Sequence, residues 1–204
     1  SLLDALHGWL RESGALRQGV LEYDQVEFID GGIRALGLSA RRLIFCDGAR
    51  LRFNPWFGNL PLAPDQGEIL NLRIHGWQTR HIVNGAHWLV PLANGEVRVG
   101  ATHEHRQLDK GPTETGAREL LAGLDALLPS RPARCVVRHL AGIRPGTRDR
   151  YPLLGRHPTH PGLWVFNGFG ARGALTIPWY AERLGAHLLQ GAPLPREADI
   201  ARFA

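Results

Sequence analysis

The stretch LWVFNGFGARGALTIPWY, residues 163–180, holds Gly168, Gly170 and Gly173 in a literal G-x-G-x-x-G, with a strand-like apolar run before it and a helix-like run after it. A dinucleotide fold would need that helix to lead into a second parallel strand, with an acid about 20 residues on to hold a ribose. Instead the helical pattern ends near Leu189 and GAPLPREADIARFA follows. A polar, proline-containing segment cannot supply a buried parallel strand, and Glu182 falls inside the helix. The Rossmann reading is therefore rejected. What remains is a glycine-rich turn that brings backbone N–H groups to a helix N-terminus, where the dipole is positive and an anion or developing negative charge is favoured. Pro178 suits a first helical turn and Thr176 an N-cap. The alternative is an ordinary strand–helix turn whose glycines serve close packing.

Upstream lies HLAGIRPGTRDRYPLLGRHP, residues 139–158. The run 135–143 is apolar enough to be expected largely buried, and Arg144 closes it before Pro145-Gly146 turns the chain. An arginine at the end of a buried strand needs an anionic partner or a polar cavity. A substrate carboxylate would serve as a bidentate partner; a structural pair with Asp149 or another acid is the alternative. Seven arginines and one acid, Asp149, fall between Arg131 and His160, so an anionic approach to this region or a solvated basic face is expected.

Elsewhere, Leu2, Leu3, Leu6, Trp9 and Leu10 recur at helical spacing over about residues 2–13. Short β-like runs follow at 19–23, 26–29, 33–38 and 41–46, with Gly31-Gly32 as a hairpin turn. A loop-like segment at 49–67 precedes further runs at 68–74, 80–84, 87–91 and 97–102, and Asn94-Gly95 is the strongest hairpin signal. Leucines 120, 121, 124, 127 and 128 predict a helix over 112–128. Strands are expected at 135–143 and 164–166 and a last helix at 178–189. Strands in meanders with few helices predict an α+β fold with a large, mainly antiparallel sheet.

The 204 residues, 44% hydrophobic, suit a folded globular chain. No apolar run reaches the roughly 18 residues of a membrane span, and the N-terminus has no signal-peptide pattern. Cys46 and Cys135 are too far apart for a CxxC site and lie in strand-like runs, so buried thiols in a reducing cytoplasm are expected. The net charge is +5, and Lys110 is the only lysine among 24 basic residues. The chain has no methionine and begins within an amphipathic pattern, which suggests a piece of a longer protein. His103-Glu104-His105 places two imidazoles at a strand end, but spacing specifies no third ligand, and no metal is expected.

The two constellations together, GIRPGTRDRYPLLG and GLWVFNGFGARGALTIPWYAERLG, resemble the C-terminal part of the FAD-dependent D-amino acid oxidase and glycine oxidase family. That family carries G-[LI]-R-P, then D-x-x-P-x-[IL]-G, then a strand, a glycine-rich loop and the last helix of its FAD domain. The FAD domain of the bifunctional enzyme that modifies tRNA wobble uridine is similar, including a tail like PLPREADIARF. Upstream, RLIFCDGARLRFNPWFGNLPLAPDQGEIL is similar to the family's apolar strand and L-P-[LI]-x-P-x-[KR]-G-[EQ] segment, although Asp65-Gln66-Gly67-Glu68 lacks the basic residue before the glycine. HWLVPLANGEVRVGATHE resembles a family hairpin. The resemblance covers about residues 15–204.

The resemblance implies FAD as cofactor and an amino acid or amine as substrate, oxidised at C–N by hydride transfer to the flavin, with no general base needed if the amine binds neutral. It assigns the substrate carboxylate to Arg144. It sets Phe169, Gly170, Ala171, Arg172, Gly173, Ala174, Leu175 and Thr176 against the pyrimidine end of the isoalloxazine, with Arg172 also able to face the substrate. Val26 corresponds to a position whose backbone contacts adenine, and Gly48 to a glycine near the ribityl chain. Tyr151 and His87, the latter beside Trp88 on the hairpin, are further substrate-pocket candidates. It also implies remnants of the FAD-binding domain at 1–60, a substrate-binding domain at 61–142 and a C-terminal FAD-domain segment at 143–204, with the Rossmann unit expected on an upstream segment. Two alternatives stand beside an amine oxidoreductase: a tRNA-modifying oxidoreductase whose basic surface binds RNA, and a non-catalytic module keeping the fold.

Overall fold

A computed structural model describes residues 2–108 and 111–203. After helix α1 (Leu2–Glu12), strands β1 (Glu27–Ile29), β2 (Gly32–Ala35) and β3 (Leu38–Ala40) form a three-stranded antiparallel meander. β4 (Leu43–Phe45) leaves it and leads into a 3-10 helix, Gly48–Phe53. β5 (Asp65–Ile74), β6 (Val83–Asn84), β7 (Trp88–Pro91), β8 (Val97–Gly100) and β9 (Arg134–Arg144) make an antiparallel sheet in the order β6-β7-β8-β5-β9. Helix α2 (Glu114–Leu127) connects β8 to β9. β10 (Leu153–Arg156) and β11 (Leu163–Asn167) are antiparallel to each other, and β11 pairs in parallel with β4. Helix α3 (Gly173–Gln190) and a 3-10 turn, Ile200–Phe203, complete the chain.

The architecture is the expected α+β one, with the β4–β11 pair as its parallel element. The leucine spacing in α2 places Leu120 and Leu124, both 0% exposed, on Leu70, Leu72, Leu89 and Val99 of the large sheet. Thr113 caps the helix, its Oγ accepting from the Gly116 N–H at 3.0 Å. β11 is covered on both faces. Leu163 and Val165 pack with Phe45, Leu51 and Phe57, while Trp164 packs on the other side with Leu184 of α3 and Ala198 of the tail. A strand buried on both faces reads as a continuous apolar run rather than an alternating one, as LWVF does.

Several expectations need correction. Residues 19–23 form no strand, and the run 33–38 divides at a turn through Leu36 and Gly37, both at positive φ. The run at 80–84 shrinks to β6. β9 is an edge strand, paired with β5 alone among the described strands, and is not the buried one expected: Val136 is 48% and Leu140 41% exposed. Cys46, just past β4, and Cys135, near the start of β9, are both exposed rather than buried. Helix α3 starts at Gly173, so Thr176 is not its N-cap. The Thr176 hydroxyl donates instead to the Arg172 carbonyl at 3.0 Å, and Pro178 lies inside the helix. The preceding 3-10 turn, Gly170–Arg172, runs straight into α3, which is why the helix begins before the proline. α1 forms as expected and buries none of its side chains among the described residues.

Leu124→Ala should remove one of the two fully buried contacts of α2 with the sheet. A loss of about 3–5 kcal/mol in unfolding free energy is expected, measured by denaturant titration; a loss below about 1 kcal/mol would show that α2 does not carry this core.

Candidate functional site

The register of the large sheet builds one wall of the site. Asp65, the first residue of β5, pairs with Arg144, the last of β9. Their side chains meet: Arg144 Nη1 donates to Asp65 Oδ2 at 2.7 Å. His103, just past β8, places Nδ1 at 2.7 Å from the same oxygen. The guanidinium lies over Gly67, where an added Cβ would overlap Nη2. Both members of the Arg144–Asp65 pair are mostly buried, and His103 is 63% exposed.

The opposite wall comes from the turn after β11. Gly168 (φ +81°) and Gly170 (φ +55°) take left-handed conformations that suit glycine. The Gly170 N–H donates to the Pro145 carbonyl at 3.0 Å, tying this turn to the one after β9. No side chain caps the start of α3, and the 3-10 turn Gly170–Arg172 runs into it, so the positive end of the helix dipole lies at this turn. A cavity of about 590 Å³ lies between the walls, lined by Asp65, His103, Arg144 and Arg150 together with the 168–172 turn. Buried Asn167 links β11 to the β4 side, its Nδ2 donating to the Gly48 carbonyl at 3.0 Å.

The turn at 147–151 forms part of the rim. Asp149 accepts from the Tyr151 N–H at 3.1 Å and pairs with Arg202 of the tail at 3.0 Å. Burial pushes the Asp149 carboxyl up, but the Tyr151 amide and the Arg202 guanidinium outweigh it, and the group titrates below its ordinary value.

Of the residues expected from sequence, Arg144, Arg172, Phe169, Gly170 and Ala171 all line this one cavity. Gly173, Ala174, Leu175 and Thr176 continue as the first turn of α3, with Leu175 81% exposed. Gly48 stands one hydrogen bond from the β11 turn. Val26 is buried in the core with Phe45 and Leu51 and is not among the lining residues. Two substrate candidates are not brought to the cavity. Tyr151 is 49% exposed and outside the lining. His87, in the bend between β6 and β7, packs against α2, its Nε2 3.6 Å from Glu119 and its ring against Gly123. Asp65 and His103 are the members that sequence reasoning missed. Asp65 carried no signal of its own, standing at an unspecified position of the motif beside the departure at Gln66, and His103 was visible as a metal candidate; only the register joins them to Arg144. No group of three or more His, Cys, Asp or Glu side chains among the described residues could hold a metal ion, and none of the described helices is long and apolar enough to cross a membrane.

The class that comparisons with known proteins define is that of the FAD-dependent oxidoreductases: a model of the DAO family, described as FAD dependent oxidoreductase, matches residues 1–187. The chain belongs to the DAO family. Glycine oxidase of Pseudomonas putida is 29% identical over 163 residues, covering 76% of this chain and 44% of that protein. The tRNA 5-methylaminomethyl-2-thiouridine biosynthesis bifunctional protein MnmC of Thiobacillus denitrificans is 36% identical over 124 residues, covering 56% of this chain and 20% of that protein. Among solved structures, iminodiacetate oxidase from Chelativorans sp. BNC1 superposes with a TM-score of 0.78 at 26% identity, over 97% of this chain and 57% of that one. The chain thus spans about half the length of the glycine oxidase and of the iminodiacetate oxidase it matches.

Two outcomes test this geometry. Gly67→Ala meets only the far end of the Arg144 side chain, so the melting temperature is expected to move by no more than about 2–4 °C, the shift given by roughly 1 kcal/mol in a chain of this size. A crystal structure of the variant should show the guanidinium displaced from Asp65; a guanidinium unmoved would refute the close packing. Asp149, with its carboxyl lowered in the folded state, stabilises the tail fully above its unfolded pKa of about 3.9 and loses that contribution as pH falls through the lower folded value. Wild type and Asp149→Asn should therefore differ in melting temperature at pH 6 and converge at about pH 2; a difference that persists in acid would refute the assignment.

Proposed function

We propose that this chain forms the substrate-facing half of an FAD-dependent oxidoreductase that oxidises the C–N bond of an amino acid or of an amine bearing a carboxylate. The observation that carries the reading is the placement of Arg144 and the uncapped start of α3 on opposite walls of one cavity. Arg144 binds the substrate carboxylate, its planar guanidinium matching two carboxylate oxygens. With the Gly170 N–H held by Pro145, the backbone of the turn at residues 171–173 and the start of α3 behind it offer a cradle for the electron-rich edge of a flavin, because a helix N-terminus stabilises negative charge. The left-handed backbone at Gly168 and Gly170 shapes this turn, and at Gly168 a Cβ would strike Thr147 and Leu153; with the start of a helix behind the turn, the residues present fit the cofactor of the family. When bound, FAD supplies the two-electron acceptor for the oxidation. Arg172, on the turn, adds positive charge to the same wall. In this reading residues 61–142 shape the substrate side, and 1–60 with 143–204 the flavin side. The relatives described as glycine oxidase and iminodiacetate oxidase favour a substrate whose amine lies close to a carboxylate.

A tRNA-modifying role is the second reading, favoured by the MnmC relatives and by the basic segment 131–160. It requires tRNA binding that weakens steeply with salt.

The experiment is anaerobic flavin reduction by small amino acids in the flavin-loaded protein, wild type against Arg144→Ala. Loss of the charge-assisted contact should weaken apparent substrate binding about 10- to 100-fold, the equivalent of roughly 1.5–3 kcal/mol. An unchanged affinity would remove the carboxylate clamp. A full-length protein that takes up no flavin would favour the non-catalytic module.

A further inference from the structure

The residue that faces Arg144 gives the subsite a property that an arginine alone lacks. Arg144 is not a free cation. Asp65 holds it at 2.7 Å, so its charge is already balanced within the wall. A carboxylate approaching this guanidinium therefore meets a second carboxylate engaged on the same nitrogen, and like charges so close repel strongly when partly shielded from water. Among the described residues, Asp65 is also the only acid that lines the cavity. Its Oδ2 carries both the Arg144 and the His103 contacts, while Oδ1 is buried without a hydrogen-bond partner. The two contacts on Oδ2 differ in kind. Arg144 is mostly buried and fixed over Gly67, whereas the His103 side chain is 63% exposed and can be displaced by a ligand.

We propose that Asp65 makes this subsite selective for zwitterions: the substrate carboxylate takes Arg144, and its protonated amine takes the place of His103 on Asp65. The proposal rests on the reading of Arg144 as the carboxylate clamp and adds a specificity-determining residue to it. A ligand that carries both charges restores the balance that a bare carboxylate upsets. Its ammonium offers N–H donors to a carboxylate with acceptor capacity to spare. Initial recognition is then of the charged amine, and Asp65 orients that nitrogen beside the carboxylate clamp. Removing Asp65 relieves the repulsion toward simple carboxylates and removes the partner of the amine. Removing His103 takes away only the displaceable occupant.

The test measures the affinities of the chain for glycine and for acetate by NMR titration, so that no flavin turnover is needed. Wild type should prefer glycine. Asp65→Asn, which keeps the shape of the side chain, should lower the glycine-to-acetate preference about 10-fold or more, the size of a charge-assisted contact, with acetate binding tighter than in wild type. His103→Ala should move the preference the other way, with glycine binding more tightly. Arg144→Gln should weaken both ligands. If Arg144→Gln weakens both while Asp65→Asn leaves the preference within about twofold of wild type, the zwitterion subsite is wrong and the clamp stands. If Arg144→Gln changes neither, the clamp itself is wrong and the proposal falls with it. His103→Ala gives an independent check should Asp65→Asn fold poorly: a preference unchanged or lowered in that variant overturns the proposal.

Discussion

The parallel pairing of β4 with β11 is the constraint on which the rest of the molecule depends. Leu43, Ile44 and Phe45 lie beside Leu163, Trp164 and Val165, and everything between them in sequence, including the whole five-stranded sheet, is a closed excursion. The entropic cost of such a closure grows only slowly with its length. The return comes from burial: Phe45, Leu163 and Val165 are at most 2% exposed, and each fully buried side chain of this kind contributes roughly 1.5–3 kcal/mol. Because β11 is fixed in this way, the turn that follows it and the start of α3 are fixed too, and Asn167 ties that turn to Gly48.

The second wall depends on a different device. β5 and β9 pair along ten positions, with one irregularity near Asn71–Leu72, and the register of that ladder delivers Asp65 and Arg144 to the same end. A partly buried ion pair contributes little net stability, because desolvation offsets most of the attraction. Its value here is positional. Gly67 lets the guanidinium lie flat on the sheet, Asp65 sets its direction, and the Gly170–Pro145 hydrogen bond holds the facing turn at a fixed distance. The cavity is thus shaped by backbone pairing on both sides, which is the rigid support that a precise binding site requires.

The charge of the site follows from this arrangement. Arginines 144, 150 and 172 with two imidazoles surround a single carboxylate. A cavity of that balance attracts anions and still presents one point where a cation is satisfied. In the proposed reading, that combination ties a flavin-dependent family to a substrate class through Asp65, which stands beside Gln66, the residue at which this chain departs from the motif it otherwise resembles.

The sequence by itself determined that three helices form, though not where the last one starts, the Asn94-Gly95 hairpin and the all-apolar character of β11, and it singled out Arg144 and the 168–173 glycines, of which Arg144, Gly168 and Gly170 share one cavity. These are local signals: periodicity, turn chemistry and a motif carried by contiguous residues. It also excluded a Rossmann unit after Gly173, since a proline-containing tail cannot form the next strand. Only the tertiary structure decided which way side chains face and what covers them. His87, in the bend before β7, turned toward α2 rather than the cavity because that helix packs over this end of the sheet. β9 proved half open because burial depends on which strands lie alongside, not on how apolar the run is. Asp65 and His103 reached Arg144 through a register spanning three strands, a property of pairing that no single stretch of sequence contains.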